Sequence, residues 1–196
     1  MAKVTAREKI INSTLEVMEG RGYQSVSVDE IISHAAVSKG SFYHCFKSKE
    51  ELAMQALEEY ERRGAEIISS GSYLQIEDPV LRAIAFVQYI EDRSMDLWQH
   101  GCLLGAVALE VAQSHPMLLE KIAELFEQFE RGIAIIFTPA LRARKVEKVT
   151  GKDLSRHFLA VIEGAIITAK THEKPEYLVQ GISHFKRYLE CVLEEK

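Results

Sequence analysis

The chain has 196 residues, 47% hydrophobic and 27% charged, with a formal net charge of −5. That length and apolar share suit one substantial domain or a small domain joined to a larger one, and the composition is not that of a disordered chain. The longest apolar runs, residues 103–109 and 133–137, fall far short of a membrane span.

The start carries Lys3, Arg7 and Glu8 and then an amphipathic pattern, so no secretory leader is expected. The three cysteines, Cys45, Cys102 and Cys191, have neither the density of a disulfide framework nor zinc-ligand spacing, which points to a reducing cytoplasm. Charge is unevenly spread. Residues 1–50 hold seven Lys/Arg and six Asp/Glu, so the acidic excess lies in 51–196. Lys39, Lys47 and Lys49, with the titratable His44, make the region near residue 40 locally basic. Such asymmetry permits a DNA-binding head on an acidic body.

Few prolines and scarce alternating β-branched runs predict an all-α protein of nine or ten helices. A first helix over about 5–19 places Ile10, Ile11, Thr14, Leu15 and Met18 on one face and stops at Gly20-Arg21-Gly22. Ser27 and Glu30, at capping-box spacing, start a short second helix. After a break at Ala36-Val37-Ser38, a third helix over about 39–46 buries Phe42 and Phe46, one turn apart. Ser48 and Glu51 repeat the capping spacing and begin a long helix to about 69. Asp78-Pro79 starts the next, to about 97, and Gly101-Cys102 another, ending near 114. A helix from Pro116 should kink or end at Thr138-Pro139. Two more come after it, from Gly151 to about 171 and from Lys174-Pro175 to about 193. These last two are apolar on more than one face, as Phe158, Ile162, Ala165, Ile166, Phe185 and Leu189 show, which calls for a partner.

Two short helices around a three-residue break, backed by a longer helix, make a helix-turn-helix, whose second helix enters the major groove. With Phe42 and Phe46 inward, that helix turns Lys39, Gly40, Ser41, Tyr43 and His44 outward, with Cys45 a further candidate for that side. Gly40 and Ser41 are small enough for close approach, and Ser41, Tyr43 and Lys49 can donate to phosphates or base edges. The competing reading is a solvated helix face with aromatics used for packing.

Residues 7–57 resemble the DNA-binding head of the TetR family of bacterial transcriptional repressors. The likeness is carried by "GRGYQSVSVDEI" after the first helix and by "AAVSKGSFYHCFKSKEEL". It implies a three-helix head over 1–50, an effector-binding and dimerisation body over 51–196, and a homodimer that grips a palindromic double-stranded operator. By the same resemblance Ser38, Lys39, Gly40, Ser41, Tyr43 and His44 face DNA, while Ser27 and Lys49 contact phosphates. Ala36 departs from the glycine usual in such turns, and a left-handed alanine would cost about 1–2 kcal/mol. Cys45 stands where relatives carry tyrosine or histidine, either as a tolerated substitution or as a thiol sensor.

In the body, "GCLLGAVALEVA" (101–112) resembles a subgroup in which Gly-Cys-Leu opens the sixth helix and which includes repressors of reactive-electrophile and reactive-chlorine defence. Chemistry points the same way, because a cysteine at a helix N-terminus is drawn toward its reactive thiolate. Lys170 matches a lysine that the electrophile-sensing relatives carry, and Trp98 is a candidate for the effector pocket. The alternative for Cys102 is a small buried hydrophobe. No catalytic constellation, metal-ligand spacing or cofactor motif is present, and no cofactor is expected. The expected partners are operator DNA, a second copy paired through the last two helices, and an electrophile or other small-molecule effector. A reversible small organic ligand is the rival effector, and a helical enzyme or scaffold the remote rival function.

Overall fold

The structure, a computed structural model, describes residues 4–194; Lys3 lies outside them. Among the described residues there are nine α-helices, one 3₁₀ turn and no strand. They are α1 (Ala6–Met18), α2 (Val28–His34), α3 (Lys39–Cys45), α4 (Lys49–Ser69), the 3₁₀ turn Ser72–Gln75, α5 (Pro79–Trp98), α6 (Leu103–Val111), α7 (Pro116–Arg144), α8 (Gly151–His172) and α9 (Glu176–Glu194).

Local capping sets most of the boundaries. Thr5 and Glu8 close a complete capping box on α1, and Thr150 and Asp153 close another on α8. Asp78 accepts from the N–H groups of Val80 and Leu81, with Pro79 in the first turn of α5. Ser27 caps α2 through the Glu30 N–H, but the box is only half made, because the Glu30 carboxylate turns to Arg21. Ser48 likewise accepts from Glu51 N–H, while the Glu51 carboxylate takes the Lys47 N–H at 2.9 Å.

Helix α2 ends as the sequence pattern predicts. Ala36 is left-handed at φ 51°, its N–H donates to Ser33 O, and the Val37 N–H reaches back to Ile32 O. These two bonds make a Schellman motif with alanine where glycine is usual.

Proline 139 neither ends nor breaks its helix, since α7 continues to Arg144. Pro139 lies on the exposed side, so the carbonyl it leaves unbonded, that of the exposed Ile135, faces solvent. On the other side Phe137 and Ala140 are fully buried and hold the helix in place.

The chain forms two compact units, Met1–Arg63 with Cys102–Phe126, and Gly64–Gly101 with Glu127–Lys196. In the first, Ile10, Met18, Ile31, Phe42, Phe46, Leu52 and Leu57 are buried. In the second, α9 packs on both α8 and α5. Its centre is an aromatic cluster in which Phe158 lies 4.5 Å from Phe185 and 6.0 Å from Phe86, ring to ring. Most of the apolar residues of α8 and α9 therefore serve the chain's own core. Ile167 and Tyr188 stay outside it, 56% and 40% exposed.

Candidate nucleic-acid interface and effector region

Helix α3 is short and held at both ends. The Ser38 hydroxyl accepts from the Ser41 N–H at 3.1 Å and pairs with the Ser41 hydroxyl at 2.9 Å. Phe42 and Phe46 anchor the inner side, and Tyr43 meets the Phe42 ring edge-on at 5.2 Å. What remains outward is Ser38, Lys39, Gly40, Tyr43 and His44, all exposed, with Ser41 and Cys45 half-buried. A Cβ at Gly40 would meet only Ser38 Oγ, at 3.8 Å, so the fold itself has no need of glycine there. The missing side chain leaves the helix an unobstructed outer surface.

The Lys39 ammonium donates to Asp29 in the first turn of α2 at 3.1 Å. That bond raises its pKa and keeps the charge in place. Ser27, also exposed, stands one element earlier with its oxygen engaged as a cap and its hydroxyl hydrogen free to turn. Lys49 is placed differently from the rest. Its ammonium sits 4.1 Å from the centre of the Tyr23 ring, half-buried, and burial lowers its pKa against an opposing pull from Glu110.

Of the three residues assigned to an effector, the structure brings two together. Trp98 and Lys170 line a cavity of about 320 Å³, with Met95, Ile166 and Leu178 supplying apolar wall and Glu173 a second charge. The Lys170 ammonium donates to the carbonyl of His100. Gly101, at φ 94°, has no Cβ to strike that ammonium, so glycine is what lets the lysine dock.

Cys102 is buried, belongs to the other compact unit, and is the N-cap of α6 rather than a residue of its first turn. Its Sγ accepts from the Gly105 N–H at 3.5 Å, and the neighbouring Leu103 N–H donates to Tyr60 Oη at 3.5 Å. Sulfur thus faces the N-terminal end of α6.

Among the described residues, no three His, Cys, Asp or Glu side chains gather in a way that could hold a metal. No described helix is long and apolar enough to cross a membrane. Residues that the sequence did not single out are Gln24 and Glu110, which bond to each other across 86 positions. No periodicity or motif marks such a pair.

Comparison with known proteins agrees with the architecture. Residues 10–56 match the family described as bacterial regulatory proteins, tetR family. Residues 80–183 match the C-terminal domain described as transcriptional regulator LmrA/YxaF-like. The transcriptional regulator AcuR of Cereibacter sphaeroides is 28% identical over 185 residues, covering 93% of this chain and 84% of that protein. The HTH-type transcriptional repressor NemR of Escherichia coli K12 is 26% identical over 192 residues, covering 93% of each. A solved regulatory protein TetR from Rhodobacter sphaeroides superposes with a TM-score of 0.78 at 28% identity, over 93% of this chain and 97% of that one. One profile spans the helix-turn-helix and the other more than half of the sequence: the chain belongs to the TetR family of DNA-binding transcriptional regulators, which are not enzymes.

Proposed function

We propose that this regulator is a homodimeric repressor that holds a palindromic operator and lets go when its body is modified at Cys102 by an electrophile or oxidant. The observation that carries the DNA half is the outer face of α3 and its cap: five exposed residues, Ser38, Lys39, Gly40, Tyr43 and His44, on a helix clamped by two buried phenylalanines. In this reading residues 1–50 read DNA, with Ser27 and Lys49 at the phosphates, and 51–196 carry effector and dimer contacts.

The second copy would lie along α8 and α9. Their outer side has an open groove of about 550 Å³ lined by His157, Val161, Tyr177, Gly181, His184 and Tyr188. Ile167, on α8, is also exposed. Family members bind operator DNA and dimerise, and a two-fold pairing would set the heads about one helical turn apart.

For release, the placement of Cys102 as the cap of α6 supports a thiol trigger. Hypochlorous acid would transfer its oxygen to the thiolate, giving a sulfenic acid and chloride, and a quinone would add across its activated double bond. Either product enlarges the cap and takes the negative charge off the sulfur that accepts from the Gly105 N–H. The cavity beside Trp98 and Lys170 favours a second reading, release by a reversible organic ligand.

The experiment is operator binding with and without hypochlorite or a quinone, on the parent, Cys102→Ser and Cys45→Ser proteins. Release of the parent and of Cys45→Ser, but not of Cys102→Ser, is expected. Loss of response in Cys45→Ser alone moves the sensor to the recognition helix. If neither thiol matters, the cavity reading stands, and quenching of Trp98, the one tryptophan in the chain, would report its ligand.

A further inference from the structure

The loop between α1 and α2 is gripped by the far end of α6. Glu110, the second-last residue of that helix, accepts the Gln24 backbone N–H on Oε2 at 2.7 Å. In return the Gln24 side-chain amide donates to the Glu110 carbonyl at 2.8 Å. Each partner caps the other, because carbonyls in the last turn of a helix have no bond partner of their own. Gly22, at φ 78°, makes the room: a Cβ there would collide with the Glu110 carboxylate. Between them Tyr23 is 4% exposed, with the His115 ring edge-on at 5.2 Å and the Lys49 ammonium on its face at 4.1 Å. Three consecutive residues are thus held, one by shape, one by its ring and one by paired hydrogen bonds. All of these residues lie in one compact unit.

The loop matters because it leads directly into the reading helices. Ser27, the cap of α2, comes three residues after Gln24, and α2 leads through the Ala36 turn to α3. Nothing in the chemistry of DNA reading involves Glu110, whose charge would repel phosphate.

We propose that Glu110 is a positioning residue for operator recognition: by clasping the Gly22–Gln24 loop it fixes the attitude at which the helix-turn-helix meets DNA. The inference rests on the operator-binding reading. Specific binding needs both heads of a dimer aligned with base edges at once, whereas non-specific binding is an electrostatic attraction that tolerates misalignment. An unclasped head therefore loses specific affinity and keeps non-specific affinity. A structural role alone would instead lower both together, through the fraction of folded protein.

The test uses the duplex that the parent protein enriches from a random pool, with a scrambled duplex of equal length as the non-specific probe. Glu110→Ala, Glu110→Gln and Gln24→Ala are titrated against both, alongside their thermal melting. In Glu110→Ala, which removes the bond to the carboxylate and keeps the one to the backbone carbonyl, the ratio of specific to non-specific affinity should fall roughly tenfold or more, as expected for losing a hydrogen bond to a charged group, with the scrambled-duplex affinity and its salt slope unchanged. Gln24→Ala, which removes one bond of the pair at an exposed loop, should fall less. Glu110→Gln, which keeps an acceptor for the Gln24 N–H, should retain most of the ratio. Undiminished discrimination in both alanine variants overturns the proposal, as does equal loss on both duplexes in step with melting. A parent that enriches no duplex overturns the operator reading itself, a result distinct from either.

Discussion

Replacing Ala36 with glycine should stabilise the protein. Ala36 is exposed and closes the Schellman motif at the end of α2 with φ 51°, so its Cβ contributes crowding against its own backbone and little packing. A left-handed L-residue costs about 1–2 kcal/mol relative to a right-handed one. Glycine escapes that cost but loses about 0.5–1 kcal/mol more chain entropy on folding than alanine. Taking the middle of each range, the net gain is about 0.75 kcal/mol. For a chain of this size that is a rise in melting temperature of roughly 1–4 °C. Far-UV circular dichroism during thermal and urea unfolding, at one fixed chain concentration, reads it directly. Two internal comparisons sharpen the test, since Lys145 and Glu173 end α7 and α8 at φ 57° and 55° with the same pair of back-bonds. Glycine at each should act in the same direction, whereas valine at position 36 should destabilise, because β-branching tolerates a positive φ least. A glycine variant no more stable than the parent, with valine equally neutral, would refute the backbone-strain argument.

Three further outcomes are expected from the geometry. Lys39→Ala and Tyr43→Ala should each weaken operator binding with the dimer intact; for Lys39 the loss is about 1–3 kcal/mol if it reads a base, or about one unit of salt slope if it meets only phosphate. Unchanged affinity and slope in both would take α3 out of the interface. Ile167→Asp and Tyr188→Asp, placing charge on exposed positions of α8 and α9, should turn a light-scattering dimer into a monomer at micromolar concentration; a persistent dimer would move the interface elsewhere. Glu59 is held by hydrogen bonds from Arg62 and Arg63 that lower its pKa to about 2. A depressed carboxylate stabilises the fold above its ordinary titration range and loses that contribution as pH falls toward its folded pKa. Glu59→Gln should thus be slightly less stable than the parent at pH 6, by less than about 1 kcal/mol for a pair within one helix, and equal to it near pH 2. A gap independent of pH would show that the ion pairs contribute nothing.

The features legible in the sequence are those that depend on neighbours within a turn or two. Ser27, Ser48 and Asp78 each accept from backbone N–H groups two or three positions on. The left-handed Ala36 is implied by the family resemblance, which puts glycine at that place in the turn. Where distant residues decide, local rules fail. A proline within α7 reads as a kink or an end until Phe137 and Ala140 are seen buried on its other side. The turn Ser72–Gln75 has no local signal, because it depends on Tyr73, which is buried with its ring edge-on to Phe86 at 5.1 Å.

Lys49 shows the limit most clearly at the candidate site. Its motif position implies a phosphate contact, yet its ammonium lies on the ring of Tyr23, 26 positions earlier in the chain, within reach of the Glu110 field. These placements are compatible, since a cation over an aromatic face keeps its outer N–H groups available to a phosphate. The lysine then serves the interface and the loop beneath it together. That double duty argues for treating the Gly22–Gln24 loop, Glu110 and Lys49 as one element whose arrangement sets how α3 is presented to DNA.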